Sequence, residues 1–271
     1  MERPITAPDG CWAAGAGTDA PPHIEVRDLT MAFGDFVLQR DLDFVIPRGS
    51  IFVIMGGSGC GKSTLLRHIL GLLTPAKGSI LLDGEDLTTI DPARRQTLMR
   101  GFGVLYQSGA LWSSMTLAEN VSLPLEEYTE LSAKEIRAIA ALKLAMVGLR
   151  GFEDYYPSEV SGGMQKRAGL ARAIALDPEI LCIDEPSAGL DPISSRRLDE
   201  LILELRDSLD TTVVMVTHEL PSIYSIGTDS IFLDAETRTM IASGPPTWLR
   251  DNCENPTVRQ FMTRGEDPDG S

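Results

Sequence analysis

Apolar and polar residues alternate from His23 onward, first at Ile24 and Val26, then at Leu42, Phe44 and Ile46. A period of two puts such residues on one face of a strand, so two half-buried strands are expected, closed by the turn Pro47-Arg48-Gly49. The next stretch, Ile51 to Met55, is apolar throughout, as in a strand buried on both faces. A helix is expected to follow from Lys62 to about Leu72. Between Gln107 and Val160 the period becomes helical. Ser132 and Glu135 have the spacing of a capping box, and Leu131 and Ile136 are placed for a hydrophobic staple. Ile136, Ile139, Ala140, Met146 and Val147 continue one apolar face, and the segment reads as an inserted helical subdomain, about 108–160.

Beyond it the pattern predicts a helix near Met164 to Leu176, a strand at Ile180 to Ile183, a helix near Ser194 to Leu209 and a strand at Thr212 to Val216. Leu198, Leu201, Ile202, Leu205 and Leu209 give the second helix a buried stripe. Strands separated by helices of this length imply an α/β fold with a mainly parallel sheet, whose ligand site lies at the carboxyl ends of the strands. Residues 230–244 read as a hairpin. Residues 1–22, rich in Ala, Gly and Pro, read as a flexible leader. Residues 245–271 read as a polar tail, with Trp248 and Phe261 its only large aromatics, which either docks on a partner or frays.

Composition narrows the function classes. With 39 acidic against 24 basic residues and a net charge of -15, the chain lacks the clustered cations a nucleic-acid groove needs. Its apolar runs, such as Ile51 to Met55 and Ile69 to Leu73, fall far short of the roughly 20 residues of a spanning helix, so a membrane role has to come through a partner. The N-terminus has neither a basic nor an apolar region of signal-peptide type, and a cytoplasmic location is expected. Cys11, Cys60, Cys182 and Cys253 show no CxxC spacing and are expected to be four free thiols. His23, His68 and His218 are too dispersed for an evident zinc site.

The strongest chemical signal is Gly56-Gly57-Ser58-Gly59-Cys60-Gly61-Lys62-Ser63, followed by Thr64. This G-x-x-x-x-G-K-S loop lies between a predicted strand and a predicted helix. Its glycines let the backbone wrap phosphates, its amides and the helix N-terminus offer positive potential, Lys62 adds a point charge, and Ser63 can ligate Mg²⁺. A glycine-rich turn without nucleotide is the plain alternative. The apolar run Ile180-Leu181-Cys182-Ile183 delivers adjacent carboxylates, Asp184 and Glu185, at its end. Asp184 suits holding Mg²⁺ and Glu185 orienting a water that attacks the γ-phosphate, although paired acids at a strand end are often a solvated turn.

Between these two motifs, Ser161-Gly162-Gly163 precedes a helix-like Met164-Gln165-Lys166-Arg167. The order resembles the ABC ATPase family, whose signature LSGGQ here reads VSGGM, with Val160 for Leu and Met164 for Gln. The resemblance covers residues 23–244, and it implies a P-loop NTPase core with an N-terminal antiparallel β subdomain and the helical insertion. It further implies that Phe33 stacks on adenine, that Gln107 links the magnesium site to a transmembrane partner, and that Ala188-Gly189-Leu190-Asp191 is a dimer-contact loop. His218 would touch the γ-phosphate. Read alone, Phe33 could be core, Gln107 solvated and His218 a capped strand end. The same resemblance implies a homodimer in which Ser161 and Gly163 contact ATP held by the other protomer, ATP and Mg²⁺ being the cofactors.

Within the family, Tyr106-Gln107-Ser108-Gly109-Ala110-Leu111, Asn120-Val121, Pro124-Leu125, the VSGGM variant, the run from Pro178 to Pro192 and Asn255 to Phe261 resemble the ATPases of Mla-type phospholipid transporters, the mammalian-cell-entry group. That likeness implies a multi-span permease, for whose coupling helix Trp112 and Met115 are candidate contacts, a periplasmic-facing lipid-binding protein, a small cytoplasmic regulator, and a place on the cytoplasmic face of the inner membrane. An importer ATPase for amino acids or another small solute would carry the same catalytic motifs. A non-transport ABC ATPase would need coiled-coil arms, zinc modules or a second ATPase domain, and the sequence has none of these.

Overall fold

The computed structural model describes residues 10–13, 22–107 and 109–263. Two compact units emerge, one made by the chain up to Pro92 together with the chain from Val214 onward, the other by Ala93–Val213. The first unit begins with β1 (Cys11–Trp12), β2 (Pro22–Phe33), β3 (Phe36–Pro47), β4 (Ile51–Gly56), α1 (Lys62–Ile69), β5 (Lys77–Leu82) and β6 (Glu85–Asp86). Helix α2 (Pro92–Met99) leads into the second unit, which continues with β7 (Phe102–Leu105), α3 (Leu117–Tyr128), α4 (Ala133–Met146), α5 (Gly162–Ala173), β8 (Ile180–Asp184) and α6 (Pro192–Leu209). Strand β9 (Thr212–Val216) returns the chain to the first unit, completed by α7 (Leu220–Ile226), β10 (Asp229–Asp234), β11 (Thr239–Ser243), α8 (Pro246–Asn252) and α9 (Pro256–Met262).

In the first unit β2 and β3 form an antiparallel hairpin in which Phe33 opposes Phe36 and Ile24 opposes Ile46. Strands β5 and β6 extend it in the order β3-β2-β5-β6. Strand β4, buried at every residue, pairs in parallel with β10, Asp229 opposite Phe52 through Leu233 opposite Gly56. The expected hairpin is β10 with β11. The rings of Phe44 and Phe52 stack at 5.5 Å in the core of this unit. In the second unit β7 runs parallel to β8, Phe102 opposite Ile180 through Leu105 opposite Ile183. Helix α4 starts at the expected capping box, with Ser132 and Glu135 exchanging side-chain and backbone bonds. Thr116 and Glu119 build a second box for α3 that the sequence reading had not singled out.

Three expectations change. Helix α1 stops at Ile69 rather than about Leu72, because Gly71 takes φ +63° and the amides of Gly71 and Leu72 turn back to the carbonyls of His68 and Arg67, a Schellman close. Helix α5 begins two residues earlier than expected, since Ser161 caps it and recruits Gly162 and Gly163. Two of the four cysteines are not free: Cys11 and Cys253 form a disulfide, with Cα atoms 5.4 Å apart across 242 residues of sequence. No spacing rule signals that pair, because it depends on β1 adding in parallel to the edge of β11, Cys11 beside Ala242 and Trp12 beside Ser243. Cys60 and Cys182 are free and buried.

The leader assigned to residues 1–22 lies outside the described residues except for Gly10–Ala13 and Pro22. The tail is described as far as Thr263, and there it packs on its own unit: Phe261 meets Phe232 edge to face at 5.1 Å, and the Tyr224 hydroxyl donates to the Met262 carbonyl at 2.6 Å. Residues 264–271 lie outside the described set.

Candidate nucleotide site

The first unit carries Phe33, the glycine-rich loop and His218. The loop leaves β4 at Gly56 and enters α1 at Lys62, the strand–loop–helix setting that its phosphate-binding reading requires. Gly56 has φ +143°, and a Cβ there would lie 2.3 Å from the Leu233 carbonyl oxygen and 2.7 Å from Cys60 Sγ, so the fold itself demands glycine. Gly57 is different: its φ is ordinary, and an added Cβ would meet nothing within 4 Å. Bare backbone without an internal reason fits a ligand that approaches closely. Lys62 Nζ lies over the loop, donating to the carbonyls of Gly56 and Gly57 at 2.9 and 2.8 Å. Burial pushes the Cys60 thiol above its ordinary pKa, with Lys62 opposing, so the loop holds a thiol and not a thiolate.

The loop is anchored from outside by Gln39, fully buried on β3, whose amide donates to the carbonyls of Cys60 and Asp234, both at 2.8 Å. Phe33 stands at the tip of the β2–β3 hairpin and is 55 % exposed, which removes the core reading and leaves a ring available for stacking. His218 follows β9 with its side chain exposed, Nε2 3.7 Å from the Glu219 carboxylate.

The second unit carries Gln107, Ser161-Gly162-Gly163, Asp184 and Glu185. Gln107 is exposed on the loop after β7. Asp184 ends β8, and Glu185 turns the chain out of the strand with φ +50°, a left-handed conformation uncommon for a side chain of this size. Ser161 caps α5, its hydroxyl accepting from the Met164 amide at 3.3 Å. A Cβ at Gly162 would again meet nothing within 4 Å. Asp191 caps α6 by accepting from the amides of Ile193 and Ser194, each at 3.0 Å, and with the Ser194 hydroxyl these bonds hold its pKa below the usual range.

Residues 39–188 match the family described as ABC transporter. The chain belongs to the ABC transporter family. This ABC ATPase is 41 % identical to the "Intermembrane phospholipid transport system ATP-binding protein MlaF" of Escherichia coli (strain K12) over 88 % of both chains. It is 41 % identical to the "Probable ribonucleotide transport ATP-binding protein mkl" of Mycobacterium tuberculosis (strain H37Rv), covering 93 % of this chain and 70 % of that one. Among solved structures, the dimeric MJ0796, "a Bacterial ABC Transporter Cassette", superposes with TM-score 0.73 at 29 % identity, covering 81 % of this chain and 97 % of that one. The MJ0796 dimer is also known in a post-hydrolysis state bound to ADP and Pi. The ABC ATPase shares that fold and binds and hydrolyses ATP. None of its helices, among the described residues, is long and apolar enough to cross a membrane.

Several residues that shape the ATPase's motifs escaped the sequence reading. Gln39 is one. Asn120 is another: fully buried, it accepts from the Trp112 amide and donates to the carbonyls of Trp112, Met115 and Thr116, fixing the segment downstream of Gln107. Arg172 on α5 donates to the carbonyls of Gly109 and Ala110 at 3.0 and 2.8 Å, and burial lowers its pKa. Lys166, on the same helix, donates to the carbonyls of Pro186 and Ala188 at 2.6 and 2.5 Å.

Proposed function

We propose that the chain is the ATP-hydrolysing subunit of a phospholipid transporter, working as a homodimer that drives a multi-span permease at the cytoplasmic face of the inner membrane, alongside a periplasmic-facing lipid-binding protein of the mammalian-cell-entry group. A small cytoplasmic regulator belongs to the same reading. The observation that carries it is the likeness to MlaF, 41 % identity sustained over 88 % of each chain.

In this reading the amides of Gly56 to Thr64 and the Lys62 ammonium hold the phosphates, and Phe33 stacks on adenine. Lys62 now spends its donors on loop carbonyls and would exchange them for phosphate oxygens. Ser63 and Asp184 offer hydroxyl and carboxylate oxygens, the hard donors Mg²⁺ takes, with Gln107 completing the set. A bound Mg²⁺ supplies charge neutralisation on the transferring phosphoryl group. Glu185 orients and polarises the attacking water, and His218 bonds the γ-phosphate. Ser161, Gly162 and Gly163 face the ATP of the partner protomer. The open space at Gly162 supports this assignment, since nothing within the chain calls for glycine there.

The test is to purify the tagged chain from detergent-solubilised membranes of its host and identify co-purifying proteins and lipids by mass spectrometry. A permease with a mammalian-cell-entry protein and phospholipid is the expected result. A permease with a solute-binding protein would replace lipid by a small solute, the reading that the name of the mycobacterial relative favours.

A further inference from the structure

Helix α5 carries three cations, and each ends on the backbone carbonyls of a loop in its own unit. Arg172 takes Gly109 and Ala110, downstream of Gln107. Arg167 takes Val147 and Gly148, at the close of α4. Lys166 takes Pro186 and Ala188, directly after Glu185. Lys166 is the most buried of the three, its residue only 8 % exposed. Withdrawing an ammonium from water is costly, and an apolar side chain of similar volume would fill the same space without that cost. Packing therefore does not explain the cation, whereas its acceptors do.

Those acceptors flank a strained point. Glu185 holds φ +50°, which persists only where the surroundings over-determine it. The following Pro186 has a fixed φ and no amide to help. Two charge-assisted bonds, to the carbonyls one and three residues beyond Glu185, brace the turn. The Glu185 carboxylate and the Lys166 ammonium also attract each other, which opposes the fall in the lysine's pKa caused by burial. The helix that bears Lys166 starts at Ser161, so a single rigid element joins the signature segment to the catalytic turn.

We propose that Lys166 is a positioning residue for ATP hydrolysis: its bonds to the Pro186 and Ala188 carbonyls fix the turn that aims Glu185 and tie that turn to the helix led by Ser161. The inference rests on the reading of Glu185 as the residue that activates water. It adds a route by which a nucleotide meeting Ser161 influences the carboxylate of the same chain.

The experiment measures ATP turnover by the full chain for Lys166→Met, Lys166→Arg and, as a control, Glu185→Gln, with thermal midpoints in parallel. Lys166→Met is expected to lower kcat by about 10- to 100-fold while KM for ATP moves less than about threefold, the mark of an interaction that matters in the transition state. Its thermal midpoint should hold or rise. Lys166→Arg, which keeps donors for both carbonyls, should recover most of kcat. If Lys166→Met does not fold, Lys166→Gln, with one amide donor, should show the same split in milder form. Turnover within about twofold of the parent in Lys166→Met overturns the proposal. So do equal kcat losses in the Met and Arg variants that follow their thermal midpoints downward. An inactive Glu185→Gln beside a normal Lys166→Met sinks the lysine alone, whereas an active Glu185→Gln sinks the reading of Glu185 beneath it.

Discussion

Replacing Gly162 by alanine separates what the chain needs for its own fold from what it needs for a partner. Gly162 is the first residue of α5, its φ lies outside the left-handed range, and a Cβ would meet nothing within 4 Å. Alanine is favoured over glycine within a helix by about 0.5–1 kcal/mol, so Gly162→Ala should leave the chain as stable or raise its melting point by about 1–3 °C. If the γ-phosphate held by a second protomer packs against this turn, the same methyl group occupies ligand space. ATP turnover should then fall by at least about tenfold, equivalent to about 1.4 kcal/mol of lost transition-state stabilisation. The assay pairs a thermal melt with turnover and with ATP-dependent dimerisation, measured by size exclusion. Full turnover together with a normal melt would refute the reasoning, because position 162 would then face nothing. A lower melting point would refute it differently, by showing an internal clash. Gly56→Ala is the contrasting case: with its Cβ 2.3 Å from the Leu233 oxygen, it should fail at folding before nucleotide is ever tested.

Glu185→Gln should bind ATP and accumulate as a closed dimer on size exclusion, because phosphate and metal contacts remain while the water is no longer activated; near-normal turnover would remove Glu185 from the chemistry. Lys62→Ala should lose ATP affinity and turnover together, read by equilibrium binding of a fluorescent ATP analogue, and unchanged affinity would contradict its role. Reducing the Cys11–Cys253 disulfide, or replacing both cysteines by serine, should destabilise the first unit. The entropy of closing a loop over their 242-residue separation sets an upper bound of about 5.5 kcal/mol. The loss should be smaller if the two-residue β1 then detaches and gains freedom in the native state, and an unchanged melt would show that the bridge constrains nothing.

The residues proposed for chemistry were legible because each lies in a short contiguous motif whose spacing states its purpose, from Gly56 to Thr64, Ser161 to Gly163, and Asp184 with Glu185. What escaped detection is held by contacts between distant segments. Gln39 reaches Cys60 across 21 residues and Asp234 across 195. The disulfide closes only because a two-residue strand finds the edge of β11. In such pairs neither partner carries a local signature, since a buried glutamine in a strand and a cysteine in a leader each have many uses.

Lys166 shows where a signal did exist. In the sequence it reads as one of several polar residues after Ser161-Gly162-Gly163, suited to a solvated first turn. Gly169, Leu170 and Ala173 lie three, four and seven positions further on, and all three are buried. Helical periodicity places Lys166 on their stripe rather than on the opposite face. A lysine on a buried stripe has to find acceptors or lose its charge, and the nearest groups with spare acceptors are loop carbonyls, since each has two lone pairs and turn geometry leaves them unused. The motif drew attention to the serine and glycines that face a ligand. The stripe would have shown that the same helix turns a cation inward, towards the loop that follows Glu185.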